Sequence, residues 1–205
     1  MQDDHSSIAG FVVLLSDYLN ENKIGFDISS LDISVGSTPS MFTHKGCTSD
    51  HIFADKLELH PGNYVFYDRQ QLYTGACASE RSVAGFVLTR VIGHYKDERN
   101  AIMVDAGATA LTKEATPQGD MCAVLGRPDL ECYRMSQECT MIRRRDGSPF
   151  PFEEFPFGST MLLLPNHSCL AAACFSTYHV VDEAISPFNT CANIVETWKP
   201  AQGWA

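Results

Sequence analysis

Val83-Ala84-Gly85-Phe86-Val87-Leu88-Thr89-Arg90-Val91-Ile92 and Ala101-Ile102-Met103-Val104 decide the fold class. Both runs are rich in β-branched and aromatic residues, whose side chains pack well on a pleated surface. Short runs of the same character recur at Tyr64–Tyr67, Met161–Leu164 and Leu170–Phe175. Turn formers lie between them, as in Asp105-Ala106-Gly107, Arg145-Asp146-Gly147-Ser148-Pro149 and Pro156-Phe157-Gly158. Strands at this spacing, with little helical periodicity between them, predict a mainly antiparallel β domain, a barrel or a sandwich, over residues 58–205.

Residues 1–57 read differently. Ile8, Phe11, Val12, Leu15 and Leu19 follow the i, i+3, i+4, i+7 spacing of one helical face. Ser6 or Ser7 is suited to cap the start, and Gly25 to end the helix in a left-handed conformation. Leu31-Asp32-Ile33-Ser34-Val35 alternates with period two and predicts a strand, which Gly36-Ser37-Thr38-Pro39 then breaks. Helix, strand and loop make a terminal αβ unit of an incomplete α/β barrel, so the chain as a whole reads as α+β. Without neighbouring strands, Phe11, Val12, Leu15 and Ile33 are expected to be partly exposed.

At 205 residues the chain amounts to one large domain or one and a half, taking about 150 residues per domain. Its 15 basic and 25 acidic residues leave a net charge of −10, which argues against nucleic-acid or anionic-membrane partners. Hydrophobic residues at 44% supply enough apolar surface for a core and exclude a disordered chain. The apolar run Phe11–Leu15 is five residues long, against roughly 18 for a membrane span. Met-Gln-Asp-Asp-His at the start lacks the basic opening of an export signal. The eight cysteines are therefore expected to be reduced thiols in the cytosol.

Two short segments carry chemistry. In Pro165-Asn166-His167-Ser168-Cys169, positions 167 and 169 of an extended segment face the same side, so an imidazole and a thiolate can meet one ion. That pair suits zinc with positions left open for water or substrate; the plainer reading is a half-buried histidine beside a core cysteine. Gly36-Ser37-Thr38 after a strand offers backbone N–H groups and hydroxyls to a phosphate, or is simply a turn. Cys47, Cys77, Cys122, Cys132, Cys139, Cys174 and Cys191 form no C-x-x-C pair and read mostly as small core hydrophobes. Arg143-Arg144-Arg145 reads as a solvated face or a set of ion-pair partners, and Asp105 and Gly107 as strand-end turn residues.

Five segments in order carry a resemblance. They are Val35-Gly36-Ser37-Thr38-Pro39, His60-Pro61-Gly62-Asn63-Tyr64-Val65-Phe66-Tyr67-Asp68, Asp105-Ala106-Gly107, Arg134-Met135-Ser136-Gln137-Glu138 and Pro165-Asn166-His167-Ser168-Cys169. The chain resembles, from about residue 8 to Trp204, the carboxyl-terminal part of the D-serine dehydratase and D-threonine aldolase family. These are pyridoxal-phosphate enzymes with the alanine-racemase-type fold, an α/β barrel followed by a β domain. The resemblance implies that Gly36, Ser37 and Thr38 hold the cofactor phosphate and that His167 and Cys169 ligate zinc. It implies a lyase acting on a small β-hydroxy D-amino acid, with zinc assisting departure of the hydroxyl. With D-serine the products are pyruvate and ammonia.

Two departures accompany it. The family's Schiff-base lysine lies near the start of the barrel, in a part these 205 residues do not contain, so the chain alone is expected to be inactive. After Ser-Gln-Glu the family usually has a histidine, where this chain has Cys139. The reading from another class is a non-enzymatic β domain kept for binding or oligomerisation, since family β domains pack on a partner subunit and a homodimer is implied.

Overall fold

The computed structural model describes residues 4–36, 38–39, 57–181 and 193–201. Ser37, Cys47 and Cys191 lie outside the described residues.

Helix α1 runs from Asp4 to Glu21 and contains Ser6 and Ser7 rather than being capped by them. It ends before Gly25. Lys23, at φ 54°, takes the left-handed position, with the Ile24 N–H reaching Leu19 O at 2.9 Å and the Lys23 N–H reaching Asn20 O at 3.2 Å. Those paired bonds satisfy carbonyls the helix would leave free, so no glycine is needed there. Strand β1 (Ile33–Val35) pairs in parallel with β2 (Leu57–Leu59), Ile33 opposite Leu57. Leu57–Leu59 thus supplies a parallel partner for the strand Ile33–Val35.

Two of the expected strands are helical. Tyr64–Tyr67 falls in a 3-10 turn over Asn63–Val65, after which Asp68 caps helix α2 (Arg69–Tyr73) by accepting the Gln71 N–H. Aromatic content suggests a strand there, but a proline–glycine turn before it and a carboxylate cap after it leave no room for one. Leu170–Phe175 lies largely in the helix Ser168–Ala173, whose Ala171-Ala172-Ala173 favours helix over strand.

The β domain is a six-stranded, wholly antiparallel sheet. Its strands are β3 (Val87–Tyr95), β4 (Ala101–Val104), β5 (Cys122–Val124), β6 (Leu130–Met135), β7 (Thr140–Arg144) and β8 (Thr160–Pro165), in the order β5-β8-β3-β4-β7-β6. The first half of β3 pairs with β8 and the second half with β4, with a register shift between Val91 and Gly93. An irregularity there curls the sheet, and a second one at Cys132–Arg134 in β6 does the same. The outer strands β5 and β6 are brought into contact, and the sheet is nearly closed into a barrel.

Inside it, Val91, Ile102, Val104, Ile142 and Leu163 are fully buried. Each such side chain contributes about 1.5–3 kcal/mol through loss of water contact. Cys122 and Cys132 join this core, Cys77 and Cys139 are half-buried, and Cys174 is exposed. Helix α3 (Ala108–Leu111) packs on α4 (Ser168–Ala173). Strands β9 (Tyr178–Val181) and β10 (Ile194–Trp198) form a separate antiparallel pair.

Candidate metal centre

Strand β8 delivers Pro165 and Asn166 to one end of the barrel, where the chain turns into α4. His167, with φ −134° and ψ 100°, is the residue before the helix, and Cys169 is in its first turn. The extended geometry that would put positions 167 and 169 on one face therefore does not hold. Both residues instead sit on a strand-to-helix turn, His167 half-buried and Cys169 exposed.

Buried polar groups fix this turn from below. Asp68 is fully buried; its Oδ2 accepts the Ser168 N–H at 2.7 Å and its Oδ1 the Gln71 N–H at 3.0 Å. Asn63 donates its amide to Asp68 Oδ2 and accepts the Ser168 hydroxyl proton on Oδ1. The Asn63 backbone N–H reaches Thr38 Oγ1 at 2.9 Å. Thr38, Asn63, Asp68 and Ser168 thus form one chain of bonds from the expected phosphate loop to the histidine–cysteine turn. A buried carboxylate is tolerable only with such partners.

Asn166 does the same on the other side. Its Oδ1 accepts Arg69 Nη1 at 2.7 Å, and its Nδ2 donates to the carbonyls of Glu114 and Asp120, each at 2.7 Å. Arg69 also reaches the Tyr73 hydroxyl at 2.9 Å and Asp120 Oδ2 at 3.3 Å, and Arg145 meets Asp120 Oδ2 at 3.2 Å. The expected role of the arginine run as ion-pair partners holds here. Arg143 pairs with Glu131 at 2.6 Å and Arg144 with Asp146 at 3.5 Å.

His167 Nδ1 lies 2.7 Å from Glu114 Oε2, which also accepts Gln70 Nε2 at 2.7 Å. Burial pushes the Cys169 thiol up from its ordinary range, and the Asp68 carboxylate adds to the shift. No third histidine, cysteine or carboxylate completes a cluster of three metal-type ligands among the described residues.

Two residues with φ above zero flank this end of the barrel, Tyr67 at 51° just before Asp68 and Thr112 at 65° two residues before Glu114. For a β-branched threonine that backbone is strained by about 1–3 kcal/mol, a pattern that clusters at functional sites. Gly36, at φ 104°, occupies the region that favours glycine.

Asp105 and Gly107 serve structure. Asp105 Oδ1 accepts the Thr89 hydroxyl at 2.8 Å and the Arg90 N–H at 2.7 Å. A side chain on Gly107 would meet Cys139 N and Gln137 O, each at 2.5 Å, so only glycine lets the Ser136–Cys139 turn approach. Cys139 stands on that turn, and its carbonyl accepts the Ser136 N–H at 2.8 Å. Asn63, Asp68 and Asn166 lie within the quoted segments, but spacing gives them no role. Glu114 carries no sequence signal at all, because it stands alone in a loop.

The nearly closed antiparallel barrel has the fold class of the carboxyl-terminal domain of alanine-racemase-like proteins. An alanine-racemase-like protein from Idiomarina loihiensis superposes with a TM-score of 0.65 at 28% identity, covering 90% of this chain and 47% of that one. Residues 84–181 match the family described as Putative serine dehydratase domain.

The D-serine dehydratase of Dictyostelium discoideum is 34% identical over 192 residues, covering 89% of this chain and 45% of the relative. D-threo-3-hydroxyaspartate dehydratase from Delftia sp. HT23 superposes with a TM-score of 0.66 at 28% identity, over 84% of this chain and 45% of that chain. A dehydratase of that name has also been solved with a cysteine replaced by alanine, in the metal-free form. It has been solved again with a histidine, two positions before that cysteine, replaced by alanine. The chain spans somewhat less than half the length of the relatives it matches.

Proposed function

We propose that this chain is the metal-carrying part of a D-serine dehydratase-type lyase, with His167 and Cys169 as its zinc ligands. The observation that carries the reading is the turn itself. Asp68 and Asn166 hold it rigidly at the barrel end, while the Glu114 contact occupies Nδ1 of His167 and leaves Nε2 as its donor nitrogen. An imidazole oriented by a carboxylate beside an exposed thiol fits a zinc site with open positions. The histidine and cysteine replaced in the solved dehydratase variants have the same two-residue spacing as His167 and Cys169, which supports it further.

The cofactor phosphate is assigned to Gly36, Ser37 and Thr38. The Thr38 hydroxyl takes the Asn63 N–H through a lone pair and keeps its proton to donate. Pyridoxal phosphate supplies an electron sink at the substrate α-carbon, and zinc supplies Lewis acidity at the β-hydroxyl. The protein's own contribution is positional: the turn sets where the hydroxyl sits, and Thr38 is linked to that turn through Asn63 and Asp68. The substrate is a small β-hydroxy D-amino acid such as D-serine, giving pyruvate and ammonia, and the working unit is a homodimer. A cytosolic setting completes the reading.

Calorimetric titration of zinc into the 205-residue chain tests the assignment. One saturable site is expected, abolished by either His167→Ala or Cys169→Ser. Binding unchanged in both variants would leave a non-catalytic β domain as the better reading. With pyridoxal phosphate and zinc added, the chain alone is expected to form no pyruvate from D-serine. Turnover above background would show that the lysine chemistry is supplied from within these residues.

A further inference from the structure

We infer that Glu114 is a positioning residue that locks His167 in the Nδ1–H tautomer and leaves its Nε2 as the donor nitrogen. The inference rests on the proposed metal site, but its first readout does not. A carboxylate oxygen accepts, so at 2.7 Å the shared hydrogen belongs to His167 Nδ1. With Nδ1 protonated, Nε2 of the neutral ring carries the lone pair.

Two further contacts hold Glu114 in place. Gln70 Nε2 donates to the same Oε2 at 2.7 Å, and the Glu114 carbonyl accepts Asn166 Nδ2 at 2.7 Å. The Gln70 N–H in turn donates to Asn166 O at 3.1 Å. Gln70, Glu114, Asn166 and His167 therefore close a ring of bonds around the turn. The strained Thr112, two residues earlier, lies in the loop that brings the carboxylate there. Nothing in the barrel packing requires an acidic side chain at this point, since Glu114 is 41% exposed.

The test is histidine 15N NMR of the metal-free chain, with the His167 signal assigned by its loss in His167→Ala. At a pH high enough for the ring to be neutral, wild-type Nε2 should show the shift of an unprotonated nitrogen and Nδ1 that of a protonated one. Glu114→Ala should collapse this into a mixture of tautomers, whereas Glu114→Gln, whose amide oxygen still accepts, should keep it. Zinc affinity should fall about 10- to 100-fold in Glu114→Ala, and less in Glu114→Gln. A wild-type Nε2–H tautomer, or an unchanged tautomer and affinity in Glu114→Ala, would overturn the inference. If the tautomer behaves as stated but zinc does not bind, the orientation by Glu114 stands and the metal assignment falls.

Discussion

The β barrel of residues 87–165 and the αβ unit of residues 4–59 answer the same sequence rules with opposite burial. In the barrel, alternation along β3 places Val87, Thr89 and Val91 inside, and β8 is buried from Met161 to Pro165. In α1 the helical spacing is equally regular, yet no described residue is buried. Phe11 is 62% exposed and Leu14 69%, while Val12 and Leu15 are half-buried. Ile33 in β1 is also half-buried, so this side of the αβ unit is partly exposed as expected. Periodicity tells which side of an element is apolar, and only partner elements decide whether that side is covered.

The largest expected contrast follows directly. Ile142→Ala or Leu163→Ala in the barrel should lower stability by about 2–5 kcal/mol, because both lose contacts in a fully enclosed core. Leu14→Ala in α1 should stay within about 0.5 kcal/mol. Denaturant unfolding measures both, and amide exchange should show slow β3, β4 and β8 against fast α1. Equal protection in the two regions would break the comparison.

Asp68 ties Asn63 and Gln71 to Ser168 at the end of the barrel, so its loss should weaken the strand-to-helix turn. Asp68→Ala strands the Ser168 and Gln71 N–H groups in a buried place, at about 1–3 kcal/mol for each unsatisfied donor. The amide of Ser168 should then exchange much faster while the β3 amides lose only the global difference. Gly107→Ala comes next. Its new methyl would press on backbone atoms of Gln137 and Cys139, and about 1–3 kcal/mol of overpacking is expected. Thermal unfolding would detect it.

The smallest effect lies on the barrel surface. The Arg99 guanidinium holds the Asp97 carboxyl down to about 2. A depressed carboxyl adds stability above its unfolded value of 3.8 and loses it as pH falls through about 2. That pair is exposed, so the readout is the NMR midpoint of Asp97, which Arg99→Ala should return to the ordinary carboxylate range.

Ala101–Val104 and Met161–Leu164 are legible because bulky apolar runs between turn formers have few alternatives to a buried strand. Tyr64–Tyr67 is misread because its aromatics are set by Asp68 and the preceding Pro61-Gly62, features that act through hydrogen bonds and not through periodicity. Leu170–Phe175 is misread because its leucine and phenylalanine mask an alanine run. The proposed ligands His167 and Cys169 are singled out by strand spacing, but they stand on a turn and not on a strand. Glu114 is invisible because its partner His167 is 53 residues away, and only the fold brings them together.

Cobalt(II) titration followed by absorption spectroscopy tests the central claim most directly, since a thiolate bound to cobalt gives a near-ultraviolet charge-transfer band. The chain should develop that band with one equivalent of metal. Cys169→Ser should lose it and His167→Ala should weaken the site, while Cys174→Ser and Cys139→Ser keep it. A band that survives Cys169→Ser, or no band at all in the wild type, would contradict a metal centre at the end of this barrel.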